Sequence, residues 1–361
     1  MENKIIRKAT IAVFLCTILV CCIVIWLPYS HSWFVQLKEE QVKYKGQINA
    51  NKSMTAFELL KDNTIKAGKN ETLEIKNRLR IPLPEGITAK SIKVTNDYMK
   101  SKIEIMLPKG NYDFLYQNPI IGSSDWISDF EINRVSKGLK LILTMNKVVE
   151  IKERNNAQYF YLDFSSPKDS YDKILVIDVG HGGTDPGAVV GKVMEKNINL
   201  EIAKELKKLF DQQTKVKVYY TRLEDQKPTY QQRVEVANSV EADLFLSIHQ
   251  NYVSKGSDSY IHGVEVLYDG EEEQQQIRTS KEFARICMEA VSEASGALSR
   301  GIVEQNDLFV LNHTNMASVI VETGYLTNSN EHEKLLTKGY QEKVAKGMYA
   351  AVMKALETED E

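Results

Sequence analysis

The spacing of hydrophobic residues changes along this 361-residue chain, beginning with an uninterrupted apolar run at residues 9–27. The run contains no charged residue over 19 positions. As an α-helix it would measure about 28 Å at roughly 1.5 Å per residue, close to the ~30 Å core of a bilayer. Residues 1–29 are therefore predicted to form a cytoplasmic tail and a transmembrane anchor.

The charges around this run predict its orientation. Lys4, Arg7 and Lys8 precede it, and the next charged residue is Lys38. Because basic residues stay on the cytoplasmic side, we expect a single-pass protein of the cell membrane, with everything after Pro28 outside. The alternative is a signal peptide whose cleavage gives a secreted protein. Signal peptides have apolar regions of about 7–15 residues, so the longer run favours the anchor.

The next two segments differ in pattern. Residues 30–70 are polar and aperiodic, which is typical of a stalk or linker. Residues 71–165 contain short runs of period two, as at Ile103, Ile105 and Leu107, separated by turn signals such as PEG at residues 84–86. Alternation without helical periods predicts a small all-β, sandwich-like domain.

A third pattern covers residues 172–357. Apolar runs predict strands at residues 174–177, 216–220, 244–248, 264–267 and 319–321. Between them, spacings such as Ile198, Ile202 and Leu206 indicate helices. The alternation predicts an α/β domain with a mainly parallel sheet and helices on both faces. A ligand site is then expected at the carboxyl ends of the strands.

Composition and charge change this interpretation little. The chain has 46 Lys and Arg against 49 Asp and Glu, too even a balance to indicate nucleic acid as a partner. Cys16, Cys21 and Cys22 lie in the apolar run and leave only Cys287 for the remainder of the chain. A disulfide framework is therefore excluded.

Candidate chemistry collects at the predicted strand ends. His181 lies in the turn DVGHGGTDPGA, His249 ends LFLSIH, and Glu322 ends SVIVE. Glu195 opens the helix after the first turn. Two imidazoles and one carboxylate leave an open position in a tetrahedral zinc shell, the ligand count of a catalytic site. Each residue also has a structural alternative, such as a favourable carboxylate–helix dipole contact for Glu195.

These residues lie in motifs that resemble the zinc-dependent N-acetylmuramoyl-L-alanine amidases of the type-3 group. The matching motifs are ILVIDVGHGGTDPGA, the EK helix start at residue 195, YYTRLED, RVEVAN, ADLFLSIHQN, GVEVLY and VIVETGYLTNSNE. They follow the order and spacing of that family over about residues 172–357.

The resemblance implies a chemistry. His181, Glu195 and His249 would hold one Zn²⁺, and Glu322 would be the catalytic acid/base. No other cofactor is implied. The substrate would be peptidoglycan, and the bond would be the amide between the lactyl group of N-acetylmuramic acid and L-alanine of the stem peptide. Zinc-activated water would attack this bond, with the glutamate as general base.

Further positions follow from the same motifs. Asn251, Arg222 and Arg233 are candidate substrate-binding residues, with a structural role as the alternative for the two arginines. Gln250 stands where the family usually has a small residue, and Ala317 where it usually has proline. We expect both departures to alter the rim of the pocket without removing the chemistry.

Other functions remain open at this point. One is a different zinc amidohydrolase or peptidase of wall peptides, and another is a catalytically silent wall-binding scaffold. The β domain occupies the position of a wall-targeting domain in many relatives. The expected partners are therefore peptidoglycan and, through the N-terminal helix, the cytoplasmic membrane. The sequence indicates no particular protein activator.

Overall fold

The computed structural model describes residues 56–59, 64–66, 72–74, 76–253, 260–270 and 278–357. The predicted anchor and most of the predicted stalk lie outside these residues, so the predicted membrane topology and localisation stay predictions. Among the residues described, no helix is both long and apolar enough to cross a bilayer.

The strands before residue 166 are β1 Phe57–Leu59, β2 Thr64–Lys66, β3 Thr72–Glu74, β4 Arg78–Pro82, β5 Lys93–Asp97, β6 Lys102–Pro108, β7 Ile120–Ser123, β8 Ile127–Val135, β9 Gly138–Met145, β10 Glu150–Asn155 and β11 Tyr159–Ser165. The later strands are β12 Ile174–Val179, β13 Val189–Val190, β14 Val193–Met194, β15 Lys217–Tyr220, β16 Leu244–Asn251, β17 Val264–Tyr268, β18 Ser299–Glu304 and β19 Ala317–Tyr325. The helices are α1 Tyr112–Gln117, α2 Pro167–Ser170, α3 Glu195–Phe210, α4 Tyr230–Ser239, α5 Ser280–Ser295, α6 Phe309–Asn312, α7 Ser329–Leu335 and α8 Lys338–Leu356.

The chain forms two compact units. Of the described residues, the smaller unit holds 56–59 and 111–121, with β1, α1 and the start of β7. Within it, the Ile120 N–H donates to the Ala56 carbonyl at 3.0 Å. The larger unit holds the rest, including both the remaining β region and the α/β region. The change of architecture near residues 165–172 therefore lies inside one compact unit.

The β region of the larger unit, residues 76–110 and 122–165, is antiparallel. Strands β5, β6, β9 and β8 form one sheet in that order, and β4, β11 and β10 pair in another. Ile103 pairs with Leu143 and Ile105 with Leu141, and all four side chains are fully buried. Alternate residues of these strands thus face a core, as the period-two pattern predicted. The prediction that residues 71–165 are all-β was wrong at one place, because the helix α1, Tyr112–Gln117, lies within that range.

The α/β region is built on a six-stranded sheet of order β15-β12-β16-β19-β17-β18. Every neighbouring pair is parallel except β17 with β19, which is antiparallel. Leu175 and Ile177 enter one hydrophobic cluster with α3, α5 and α8, whereas Ile174 and Val176 enter a second with α4 and α6. Successive residues of a strand point to opposite faces, so helices cover both faces as predicted.

The three strands expected to carry the chemistry are neighbours. Strand β16 lies between β12 and β19, and all three run in the same direction. Their carboxyl ends therefore meet at one edge, where His249 is in register with Glu322.

Candidate metal centre

His181 is carried by a tight turn directly after the buried strand β12. Its own φ is 59°, in the left-handed region that is uncommon for non-glycine residues. The Arg233 guanidinium donates to the His181 carbonyl at 2.9 Å. Gly180 is required because a Cβ there would lie 2.3 Å from Nε2 of His249. The turn thus brings two imidazoles close together.

The predicted ligands converge. One ligand atom from each of His181, Glu195 and His249 lies within 4.8 Å of the others. His181 Nε2 is 3.1 Å from Glu195 Oε2, and His249 Nδ1 is 2.8 Å from Glu195 Oε1. The two imidazole rings meet edge to face with their centroids 4.8 Å apart. The structure therefore brings together the residues that the sequence selected.

Glu195 is the first residue of α3 and is buried. The N–H groups of Ala188 and Gln250 donate to its carboxylate at 2.8 and 3.1 Å. Burial alone would raise the pKa of Glu195, but the contacts with His181 and His249 outweigh it and hold that pKa well below its usual range. For His249, burial alone would lower the pKa. The contact with Glu195 has the larger effect and raises the pKa of His249 to about 9. The Glu195 carboxylate is therefore ionised and is held in position by these hydrogen bonds.

This donor set fits zinc. Imidazole nitrogen and carboxylate oxygen are both ordinary zinc ligands, whereas calcium and magnesium prefer oxygen alone. Three protein donors are also the number found where a fourth position serves water or substrate. His181, Glu195 and His249 can therefore hold one zinc ion and leave one side open.

Glu322 lies one strand away from His249, at the same level of the sheet. Within the described part of the chain, its buried Oε2 has no hydrogen-bond partner. Burial raises the pKa of Glu322 to about 7, and proximity to His249 only partly offsets that effect. A carboxylate with a pKa near neutrality, held beside a metal centre, suits proton transfer at physiological pH.

Arg222 and Arg233 are both buried beneath the turn. Arg222 donates to the carbonyls of Val179 and Gly180 at 3.0 and 2.8 Å. Arg233 forms an ion pair with buried Asp178 and donates to the Val179 carbonyl at 2.8 Å. These contacts support the structural alternative for both arginines.

Residues behind Glu195 form a network that sequence reasoning missed. Gln250 is 3% exposed, so it lies inside the fold and not at the pocket rim where we expected it. Its side-chain amide donates to Asn199 Oδ1 at 3.1 Å and accepts from the Thr323 hydroxyl at 2.6 Å. Asn199 lies four residues after Glu195 on α3, and that helical spacing was the available signal.

Ala317 begins β19 and is fully buried, so this position also lies inside the fold and away from any rim. Asn251 ends β16, and its side chain contacts β17, which lies two strands away in the sheet. Asn251 Nδ2 donates to the Glu265 carboxylate on β17 at 3.0 Å. Substrate binding by Asn251 stays a prediction.

Gly180→Ala should weaken metal binding while leaving the chain folded. The new methyl group would displace the His249 imidazole from Glu195, because the nearest imidazole atom would be only 2.3 Å away. We expect zinc affinity to fall by at least roughly tenfold, the size of effect seen when supporting groups are lost. Metal content after dialysis measures this. Gly339→Ala is the matched control, since its Cβ would meet no atom within 4 Å. Unchanged zinc affinity in Gly180→Ala would contradict the geometry described here.

The fold and the site together define an α/β domain with a catalytic-type metal cluster at the carboxyl edge of its sheet. Residues 175–354 match the family described as N-acetylmuramoyl-L-alanine amidase. The chain is 34% identical over 175 residues to N-acetylmuramoyl-L-alanine amidase LytC of Bacillus subtilis (strain 168), covering 48% of this chain and 34% of LytC. It is 32% identical over 176 residues to the uncharacterized protein YqiI of the same strain, covering 48% of this chain and 80% of YqiI.

Among solved structures, the catalytic domain of CwlV, an N-acetylmuramoyl-L-alanine amidase from Bacillus (Paenibacillus) polymyxa var. colistinus, is 34% identical. That match covers 52% of this chain and 99% of the CwlV domain, with a TM-score of 0.47. The chain belongs to the N-acetylmuramoyl-L-alanine amidase family. It spans about a third of the length of LytC and most of the length of YqiI.

Proposed function

We propose that the protein is a zinc-dependent N-acetylmuramoyl-L-alanine amidase, which hydrolyses the amide between the lactyl group of N-acetylmuramic acid and L-alanine of the stem peptide. The observation that carries the proposal is the cluster of His181, Glu195 and His249 beside the buried carboxylate of Glu322, whose Oε2 has no hydrogen-bond partner among the described residues. Membership of the amidase family selects the substrate class.

In the proposed hydrolysis, some residues would bind the metal ion and one would transfer the proton. When bound, zinc acts as a Lewis acid that polarises a carbonyl and lowers the pKa of water. His181, Glu195 and His249 would hold the ion, with the buried Glu195 carboxylate offsetting part of its charge. Glu322 would accept a proton from the attacking water and deliver it to the departing amine of L-alanine. Proton transfer of this kind is typically worth about 10²–10⁴-fold in rate.

The setting that we propose is the outer face of the cell membrane. Peptidoglycan lies outside that membrane, and the charges around residues 9–27 favour an outward orientation of everything that follows. The β region would then add a wall-binding surface to the catalytic region.

The bond specificity can be tested by digestion of isolated peptidoglycan with the zinc-loaded chain. We expect new amino termini that are all L-alanine, and glycan strands without new reducing ends. Glu322→Gln, prepared in the same way, controls for a contaminating hydrolase. New amino termini on other residues would instead identify a wall peptidase, and binding without any new terminus would identify a scaffold.

A further inference from the structure

A tyrosine of the β region completes the hydrogen bonding of the catalytic sheet. Tyr98 begins a short 3₁₀ turn, Tyr98–Lys100, directly after β5. Its hydroxyl donates to the Tyr220 carbonyl at 2.9 Å and accepts from the Tyr220 N–H at 3.1 Å. Tyr220 ends β15, which is the edge strand of the six-stranded sheet. One hydroxyl therefore satisfies both main-chain groups of Tyr220, on the side of β15 where none of the described strands pairs with it.

The surrounding contacts hold Tyr98 in place. Its ring meets Tyr219 edge to face, with centroids 5.1 Å apart. Glu150 of β10 accepts a hydrogen bond from the Tyr219 hydroxyl and pairs with Lys217 at 2.9 Å. The Val148 N–H donates to Ser239 of α4 at 2.8 Å. The β region thus contacts β15 and α4 through polar groups as well as through the chain connection.

The two residues after Tyr220 bind the turn that carries His181. Thr221 Oγ1 accepts from the Val179 N–H at 3.0 Å and donates to Asp178 at 2.8 Å. Arg222 donates to the carbonyls of Val179 and Gly180. Both side chains are at most 2% exposed. A displacement of the Tyr220 main chain would therefore move the groups that fix the residues immediately before His181.

We propose that Tyr98 is a positioning residue for the metal centre. Its hydroxyl fixes the end of β15, and Thr221 and Arg222 transmit that position to the turn of His181. His181 follows these residues with a left-handed backbone, which costs more free energy than a right-handed one, so contacts that fix the preceding residues favour the turn. The consequence for catalysis rests on the proposed amidase function, whereas the consequence for the turn does not. The β region then contributes to the active site and not only to attachment.

The test is Tyr98→Phe in the full chain, which keeps the ring against Tyr219 and removes only the hydroxyl. We expect amide hydrogen exchange at Val179 and Gly180 to accelerate roughly 3- to 10-fold in the metal-free protein, the effect of losing one ordinary hydrogen bond. Zinc affinity and the kcat on soluble muropeptide should fall by a similar factor, with KM unchanged. The unfolding midpoint is measured alongside, to separate local from global effects.

Tyr171→Phe is the matched control. Tyr171 packs against the same hydrophobic cluster, but its hydroxyl reaches Glu150 at 3.4 Å instead of a main-chain group of β15. If Tyr98→Phe matched this control in exchange and in zinc affinity, the proposal would be overturned. Loss of the global fold would also overturn it, since Tyr98 would then be a stability residue. If the unmodified chain cleaved no muropeptide, the amidase function would fail, while the exchange data would still decide the role of Tyr98.

Discussion

Glu322→Gln is expected to lose roughly 10²–10⁴-fold in turnover while it retains its zinc. Glutamine keeps the size of the side chain and its polar atoms, but it cannot accept a proton from the attacking water. The variant should fold normally, because Oε2 has no hydrogen-bond partner in the described structure that the substitution could break. Steady-state kinetics on soluble muropeptide and metal analysis on the same preparation measure the two quantities.

The control for this variant is Glu201→Gln, on the exposed face of α3, which should change neither quantity. Two results would contradict the role given to Glu322. Loss of zinc would make Glu322 a ligand, and Glu195 would become the candidate base. Near-normal turnover would show that Glu322 is only a carboxylate at the end of a strand.

His249→Ala should lose zinc and turnover together. Removal of a supporting residue outside the ligand shell typically costs about 10–100-fold in metal affinity, so removal of a direct ligand should cost more than about 100-fold. The variant also takes one of two imidazoles away from buried Glu195, whose oxygen lies 2.8 Å from His249. Metal content after dialysis, and recovery of activity on adding zinc, are the measurements.

His262→Ala is a suitable control because His262 is exposed and its imidazole lies against the Tyr260 carbonyl at 2.8 Å. It should retain zinc and turnover. Full activity of a zinc-free His249→Ala protein would remove the metal centre from the mechanism. Glu322→Gln should therefore keep its zinc and His249→Ala should lose it, whereas both variants should lose turnover.

The site was predictable from sequence because its geometry follows from strand order and direction. Val176, Leu246 and Ile320 lie in continuous apolar runs, which indicate buried strands of a parallel sheet. Once such strands are neighbours, their carboxyl ends share an edge, so residues far apart in the chain converge there. His249 and Glu322 are an example, since they occupy matched positions on adjacent strands.

Other features had no comparable signal. Strand β18 was not predicted, because it is largely exposed, contains Gly301 and shows no alternation. The antiparallel direction of β17 is not encoded in its five residues. The contact of Tyr98 with Tyr220 joins positions 122 residues apart, and a tyrosine beside a turn predicts nothing about its partner. Strand direction and contacts between residues far apart in the sequence depend on the packing of the whole unit.

The position of Tyr98 also bears on the solubility of the catalytic region. An edge strand presents N–H and C=O groups that can pair with a strand of another molecule, which is a route to aggregation. Strand β15 has only four residues, and at Tyr220 both outward groups are already bonded within the chain. A fragment that begins after the β region would expose these groups and present an open pairing site to its own copies. The β region should therefore reduce self-association at that edge, because Tyr98 occupies both groups of Tyr220.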